Sequence, residues 1–323
     1  MKTIVNTGPG KLEMQKRPKP EPGPGQVRIK TAACGICATD LEMIAGWSRT
    51  NCPAVPGHEW SGHVEAAGPG VARALLGRAC VAENVLSDGG EVGFEHPGGY
   101  AEYLVTEARN VCVLPDGFPL ATAALIEPLA VSVRALRRLA LRDKRAALIL
   151  GDGPIGLLLL MLLKNAGVSR IVMLGGRAKR LALATELGAA QVFNRHESGG
   201  EFVARVKERC GAEFPNVLEA SGSTSGMQAS LELAAREGKV LVIGDYGLGR
   251  ADFLWNHLLH RELELIGSNA SSGAWPEAVR LATQGALPLE RLITHRFAAG
   301  RFAEGIELVK GRKAEVIKVV LEW

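Results

Sequence analysis

"LILGDGPIGLLLLM", residues 148–161, joins a short apolar run through a glycine turn to a second, longer apolar run. Its glycines, Gly151, Gly153 and Gly156, fall in G-x-G-x-x-G spacing. In a strand–turn–helix unit the first glycine allows the tight turn. The second lets backbone approach a pyrophosphate, and the third lets the helix pack on the strand. The phosphates then meet the positive end of the helix. The spacing alone is weak in a chain with 39 glycines; the strand before it and the helix after it carry the reading. Gly151, Gly153, Pro154, Ile155 and Gly156 are therefore the candidate cofactor-binding turn.

Outward from this turn, short apolar strands alternate with helices. "RIVMLG" (170–175) is a second strand, and "KRLALATELG" a helix closed by Gly188. "NVLEASG" and "KVLVIGDYG" are strands flanking the helical "SGMQASLELAAREG", and "LELIGS" (263–268) closes the block. Strands of five or six residues between helices of 10–15 imply a parallel, doubly wound α/β sheet. This dinucleotide-binding Rossmann domain is placed at residues 129–267. Residues 1–118 have a different texture, rich in Gly and Pro with short β-prone runs, and the change comes near Leu120. "KRPKPEPGPGQVRIKTAA" reads as a proline-stiffened loop entering a strand at Val27–Ala32. A mostly β domain is expected over 1–128 and 268–323.

The second strand of such a sheet normally ends in an acidic residue about 20 positions on, which holds the ribose 2′-hydroxyl. The place 19 residues past Gly156 is Gly175, and Arg177, Lys179 and Arg180 follow. A missing carboxylate with arginine beside it favours a 2′-phosphate, so NADP(H) over NAD(H). Gly175, Arg177 and Arg180 join the cofactor-binding candidates; Lys179 and Arg180 are equally read as the solvated start of a helix.

Composition bounds the function. Of 323 residues, 47% are hydrophobic and 22% charged, ordinary for a globular protein. The net charge of +4 is not gathered into a basic run, so no nucleic-acid partner is expected. "MKTIVNTGPG" has no apolar signal core. The most apolar run, "IGLLLLMLL", has nine residues, where a membrane span needs about 20. A cytoplasmic protein without membrane contact is expected, its cysteines kept as thiols.

Those cysteines stand at 34, 37, 52, 80, 112 and 210, and only Cys34 and Cys37 have motif spacing. By spacing alone the pair is a redox couple, half of a structural zinc site, or one ligand beside a bystander. "GICATD", "GHEWSG" and "IEPLAV" together resemble the zinc-dependent medium-chain dehydrogenases, especially the sorbitol and threonine dehydrogenase-like branch. The resemblance extends from "TGPGKLEMQKRPKPEPGPGQV" to the C-terminal "AEVIKVVLEW". It implies a GroES-like catalytic domain beside the Rossmann domain.

It also implies that Cys37 is a thiolate ligand and His58 an imidazole ligand. Glu59 and Glu127 become carboxylate positions alternating with water, with Asp40 orienting the histidine and Cys34 a neighbour. The donor chemistry agrees: a catalytic zinc takes about three protein ligands and one open position, and mixed S, N and O donors suit it. Thr39 would take the substrate proton. Glu42, three residues on, stands where many members of the family carry a relay histidine. The four-cysteine lobe of the family is reduced to "VLSDGGEVGFEHP", without a cysteine. One catalytic zinc and no structural zinc follow. Trp47, Trp60 and Phe94–Pro97 are candidate pocket walls or core.

The resulting expectation is an NADP(H)-preferring, zinc-dependent oxidoreductase of a secondary alcohol or polyol and its ketone, a homo-oligomer acting on a small molecule. The competing readings are a zinc-free enone or quinone reductase on the same fold, and a non-catalytic NADPH-binding redox sensor using Cys34 and Cys37.

Overall fold

A computed structural model describes residues 1–198, 202–211, 213–311, 313 and 315–323. The chain forms two compact units, one of residues 1–130 and 272–323, the other of residues 131–271.

The second unit is a six-stranded sheet in the order Gln191–Asn194, Arg170–Gly175, Ala146–Leu150, Phe214–Glu219, Ala234–Val242, Glu264–Gly267. All its pairings are parallel. The chain starts at the middle, builds outward one way, then returns to build the other way, which is the doubly wound order. The strand Ala146–Leu150 is buried along its whole length. Helix Pro154–Asn165 buries every residue from Gly156 to Leu163. An unbroken leucine run suits a helix covered on all sides.

"LELAAREG" departs from the helical expectation. The helix stops at Leu233 and Ala234–Val242 is strand. Arg261, from a later helix, donates to the carbonyls of Leu231, Glu232 and Ala234, satisfying the acceptors a helix end leaves open. Helical propensity in "AAREG" yields to that tertiary cap: Ala234 pairs with Phe214, residues 235–238 fall in a register shift, and regular pairing resumes at Lys239 opposite Asn216.

The first unit is built on the strand Gln26–Ile36, longer than Val27–Ala32. It pairs antiparallel with Trp60–Ala67, Tyr103–Glu107 and Lys318–Glu322. Cys34 is opposite Trp60 on one side and Leu321 on the other. Residues 58–60 and 318–320 are thereby brought to opposite flanks of Gly35. The core gathers Ile4, Val27, Ile29, Cys34, Trp60, Tyr100 and Leu321, all essentially inaccessible.

Candidate metal centre and nucleotide cradle

The strand Gln26–Ile36 runs directly into the helix Ala38–Ala45, and Cys37 is its N-cap. Asp40 Oδ2 accepts the Cys37 backbone N–H at 2.8 Å, and the Cys37 side chain accepts the N–H of Asp40, closing a capping box. Gly46 ends the helix in the left-handed region at φ 102°.

Cys37, His58 and Glu59 offer sulfur, nitrogen and oxygen atoms that all lie within 4.8 Å of one another. His58 Nδ1 faces Asp40 Oδ1 at 3.3 Å, and Tyr100 donates its hydroxyl to Asp40 Oδ2 at 3.3 Å. Burial alone would lower the His58 pKa; Asp40 and Cys37 outweigh it and hold the imidazole well above its ordinary value. Asn84 Nδ2 donates to the His58 carbonyl. The Phe94 ring lies against the imidazole, centroids 4.8 Å apart.

Glu59 is 1% exposed, and both its oxygens accept from Lys318 Nζ, at 2.6 and 2.7 Å. Gly35 makes this possible: a side chain there would collide with Glu59 Oε2. Glu127, in the first turn of Ile126–Leu139, is not in the three-residue cluster. Burial pushes its pKa up to about 7, with His58 opposing and Glu59 adding to the rise. Thr39 Oγ1 stands 3.6 Å from Cys37 Sγ, and Glu42 lies on the exposed side of the same helix.

Cys34 is not a member of this cluster. It is fully buried, donates weakly to the Gly35 carbonyl, and packs where side chains at Gly57 or Gly99 would strike its sulfur. Burial, with Asp40 adding, raises its thiol pKa well above the usual range. Trp60 is a core residue, not a pocket wall: it is 2% exposed and its indole N–H is held by Asn84. Trp47 instead meets Phe94 edge-on. Arg49, whose guanidinium lies 4.4 Å from the Phe94 ring centroid, pairs with Glu91 and Glu95 at 2.7 Å each. The short "VLSDGGEVGFEHP" span thus carries a ring to the histidine.

A converging S, N and O donor set, two members buried, with a carboxylate behind the imidazole, fits a zinc ion.

In the other unit, Gly151 has φ +118°, and a side chain there would meet the backbone of Ala220 and Ser221 at 2.7–2.8 Å. One at Gly156 would collide with the Gly151 carbonyl, whereas nothing lies within 4 Å of a Cβ at Gly153. Gly153 caps the helix Pro154–Asn165 without a side-chain hydrogen bond. This open, uncapped helix end fits a pyrophosphate. Arg180 is turned into the unit, burial and Arg177 lowering its pKa to about 10.

The place at the end of Arg170–Gly175 is not empty of acid, as Gly175 suggests. The carboxylate of Asp152 lies there, accepting the backbone N–H groups of Gly176 and Arg177 at 2.9 and 2.7 Å.

Two family models match the chain: an alcohol dehydrogenase GroES-like domain over residues 23–116 and a zinc-binding dehydrogenase domain over residues 154–284. The D-arabitol-phosphate dehydrogenase of Enterococcus avium is 30% identical, over 92% of this chain and 90% of its own. The chain belongs to the zinc-dependent medium-chain dehydrogenases. Among solved structures of this family, the rspB alcohol dehydrogenase of Escherichia coli CFT073 complexed with NADH superposes with a TM-score of 0.93 at 25% identity, covering 100% of this chain and 99% of that one. A zinc-binding dehydrogenase of Sinorhizobium meliloti 1021 bound to NADP gives 0.92 at 25% identity, with the same coverage. This medium-chain dehydrogenase is therefore an oxidoreductase of the alcohol and polyol type, with a GroES-like and a Rossmann domain. Among the described residues, no helix is long and apolar enough to cross a membrane.

The structure brings together Cys37, His58, Glu59 and Asp40, all named from the sequence, and adds Lys318, Arg49 and Tyr100, which were not. Only Lys318 left a trace: a charge inside the apolar run "VIKVVL".

Proposed function

We propose that this medium-chain dehydrogenase interconverts a secondary alcohol or polyol and its ketone, with one catalytic zinc, no structural zinc, and NADP(H) preferred over NAD(H). The observation that carries the reading is the convergence of Cys37, His58 and Glu59 within 4.8 Å, with the Thr39 hydroxyl beside the cysteine.

In this reading Cys37 and His58 hold the metal, and Glu59 or Glu127 supplies a carboxylate. Lys318 competes with the metal for Glu59, so Glu127 is the carboxylate with the freer oxygens. When bound, zinc supplies the Lewis acidity that lowers the alcohol's pKa, and the nicotinamide accepts or donates hydride. Asp40 fixes the imidazole ring through its Nδ1 edge. Thr39 takes the proton from the substrate hydroxyl while passing its own outward, with Glu42 one turn further along the helix to receive it. Phe94, braced by Arg49, walls the site and keeps water from the imidazole face.

The NADP(H) preference is supported by Gly175 and by the basic side chains at that strand end. A Cβ at Gly176 would lie 3.0 Å from His196 Nε2 and 3.1 Å from Arg195 Nε. With Arg177 these side chains suit a phosphate dianion. A cytoplasmic homo-oligomer is part of the proposal. Its support is the edge strand Glu264–Gly267, with exposed Leu265, next to a helix exposing Leu254, Trp255 and Leu259. Open strand edges and clustered apolar side chains are surfaces that a second copy covers.

The test is elemental analysis of the purified protein, followed by steady-state assays over polyols, sugar phosphates and secondary alcohols with NADPH and NADH. One zinc per chain and turnover of a secondary alcohol support the reading. A zinc-free protein that reduces enones would replace it.

A further inference from the structure

Asp152 occupies the first variable position of the glycine turn, yet its side chain leaves that turn. It is 4% exposed. Its Oδ2 accepts from Gly176 N and Arg177 N, and its Oδ1 lies 3.4 Å from Arg177 Nη1. A Cβ built on Gly175 would fall 2.6 Å from Oδ2 and 2.7 Å from the Cβ and Cγ of Asp152. The carboxylate therefore fills the volume that a strand-terminal side chain at position 175 would use. Strand pairing explains the reach. Ala146–Leu150 and Arg170–Gly175 are parallel neighbours, with Leu150 opposite Leu174, so the two strand ends lie side by side.

The groups at this strand end are donors and cations: the two backbone N–H groups and Arg177 on the carboxylate, Arg180 near it, and Arg195 with His196, from the end of the next strand, beside Gly176. Those are the groups a ribose 2′-phosphate uses. A phosphomonoester carries between about −1.5 and −2 charge at neutral pH, and here it approaches a buried anion already holding two of its donors. A 2′-hydroxyl, in contrast, can donate to that anion.

We infer that Asp152 is a cofactor-discriminating residue, standing in space for the acid missing at position 175 and narrowing the preference for NADP(H). The inference rests on the proposed seating of the adenosine ribose at this strand end. Gly175 is part of the same device, since any side chain there would displace the carboxylate.

The test uses binding alone. Calorimetry with 2′,5′-ADP and 5′-AMP gives an affinity ratio for the unmodified protein and for Asp152→Asn, which keeps size and removes charge. The ratio should move toward 2′,5′-ADP by about tenfold or more in the variant, the scale of one charge-assisted contact. An unchanged ratio overturns the inference. So does a fall, which would mean that Asp152 serves to aim Arg177 at the phosphate. A second measurement needs no variant: the unmodified protein should bind 2′-deoxy-AMP about fivefold or more weakly than 5′-AMP, because the carboxylate loses its donor. Equal affinity for the two likewise overturns it. The ratio in the unmodified protein separately reads the NADP(H) preference, so that proposal and this one fail by different results.

Discussion

Replacing Lys318 by Met keeps the length of the side chain and removes its charge, leaving the Glu59 carboxylate, which reaches across Gly35, without its cation. Lys318 and Glu59 are 4% and 1% exposed, and one ammonium meets both carboxylate oxygens at 2.6 and 2.7 Å. An ion pair this deep contributes little net stability, but deleting one partner strands the other, at about 3–5 kcal/mol. Lys318→Met should therefore destabilise the metal-free protein by about 3 kcal/mol or more. Adding Glu59→Gln removes the stranded charge and should restore at least about 2 kcal/mol of that loss. Urea unfolding followed by tryptophan fluorescence reads this well, because Trp47, Trp60, Trp275 and Trp323 belong to the unit of residues 1–130 and 272–323, and Trp255 alone to the other. The pH dependence has a defined sign. Glu59 holds the Lys318 pKa above its ordinary value, outweighing the burial that would lower it. The lysine's contribution is then complete below its unfolded pKa of about 10.4, and is lost only as pH rises through the higher folded value. Lys318 also holds down the pKa of Glu127, which lies at about 7, so the loss in Lys318→Met should be larger at about pH 9 than at about pH 6. Single-variant losses that simply add, or a loss in Lys318→Met below about 1 kcal/mol, would refute the buried-pair reasoning.

Thr39→Val should retain zinc and cofactor while turnover drops by about 10²–10⁴-fold; normal turnover would remove Thr39 from the proton path. Cys37→Ala should lose the metal on elemental analysis, whereas Cys34→Ala should keep it and lose only some stability, since Cys34 is a core residue. Metal loss in the Cys34 variant alone would reverse the ligand assignment. Glu127 has a folded pKa of about 7, above the unfolded value near 4.3. Its protonated form is thus the stabilising one, complete at low pH and lost as pH rises through about 7. Metal-free protein should lose stability over that interval relative to Glu127→Gln, and parallel pH curves for the two would contradict the raised pKa.

Much of this protein is decided by local pattern. Gly151, Gly153 and Gly156 specify a turn because each answers a demand of its own backbone or its immediate neighbours. The buried "ALIL" strand and the leucine helix after it state their periods within a few residues. Cys37 and Asp40 are one capping box, so their meeting is local too, and "GHE" delivers His58 and Glu59 together. What only the tertiary structure decided is which distant groups those residues face. Lys318 reaches Glu59 across 259 positions because both flank Gly35 in one sheet. Asp152 fills the space at Gly175 because two parallel strands end side by side. The helix stops before "AAREG" where Arg261, from a later helix, takes its last carbonyls. Propensity and motif spacing report the conformation of a segment; register and chain crossing set its partners, and a carboxylate's role depends on the partner.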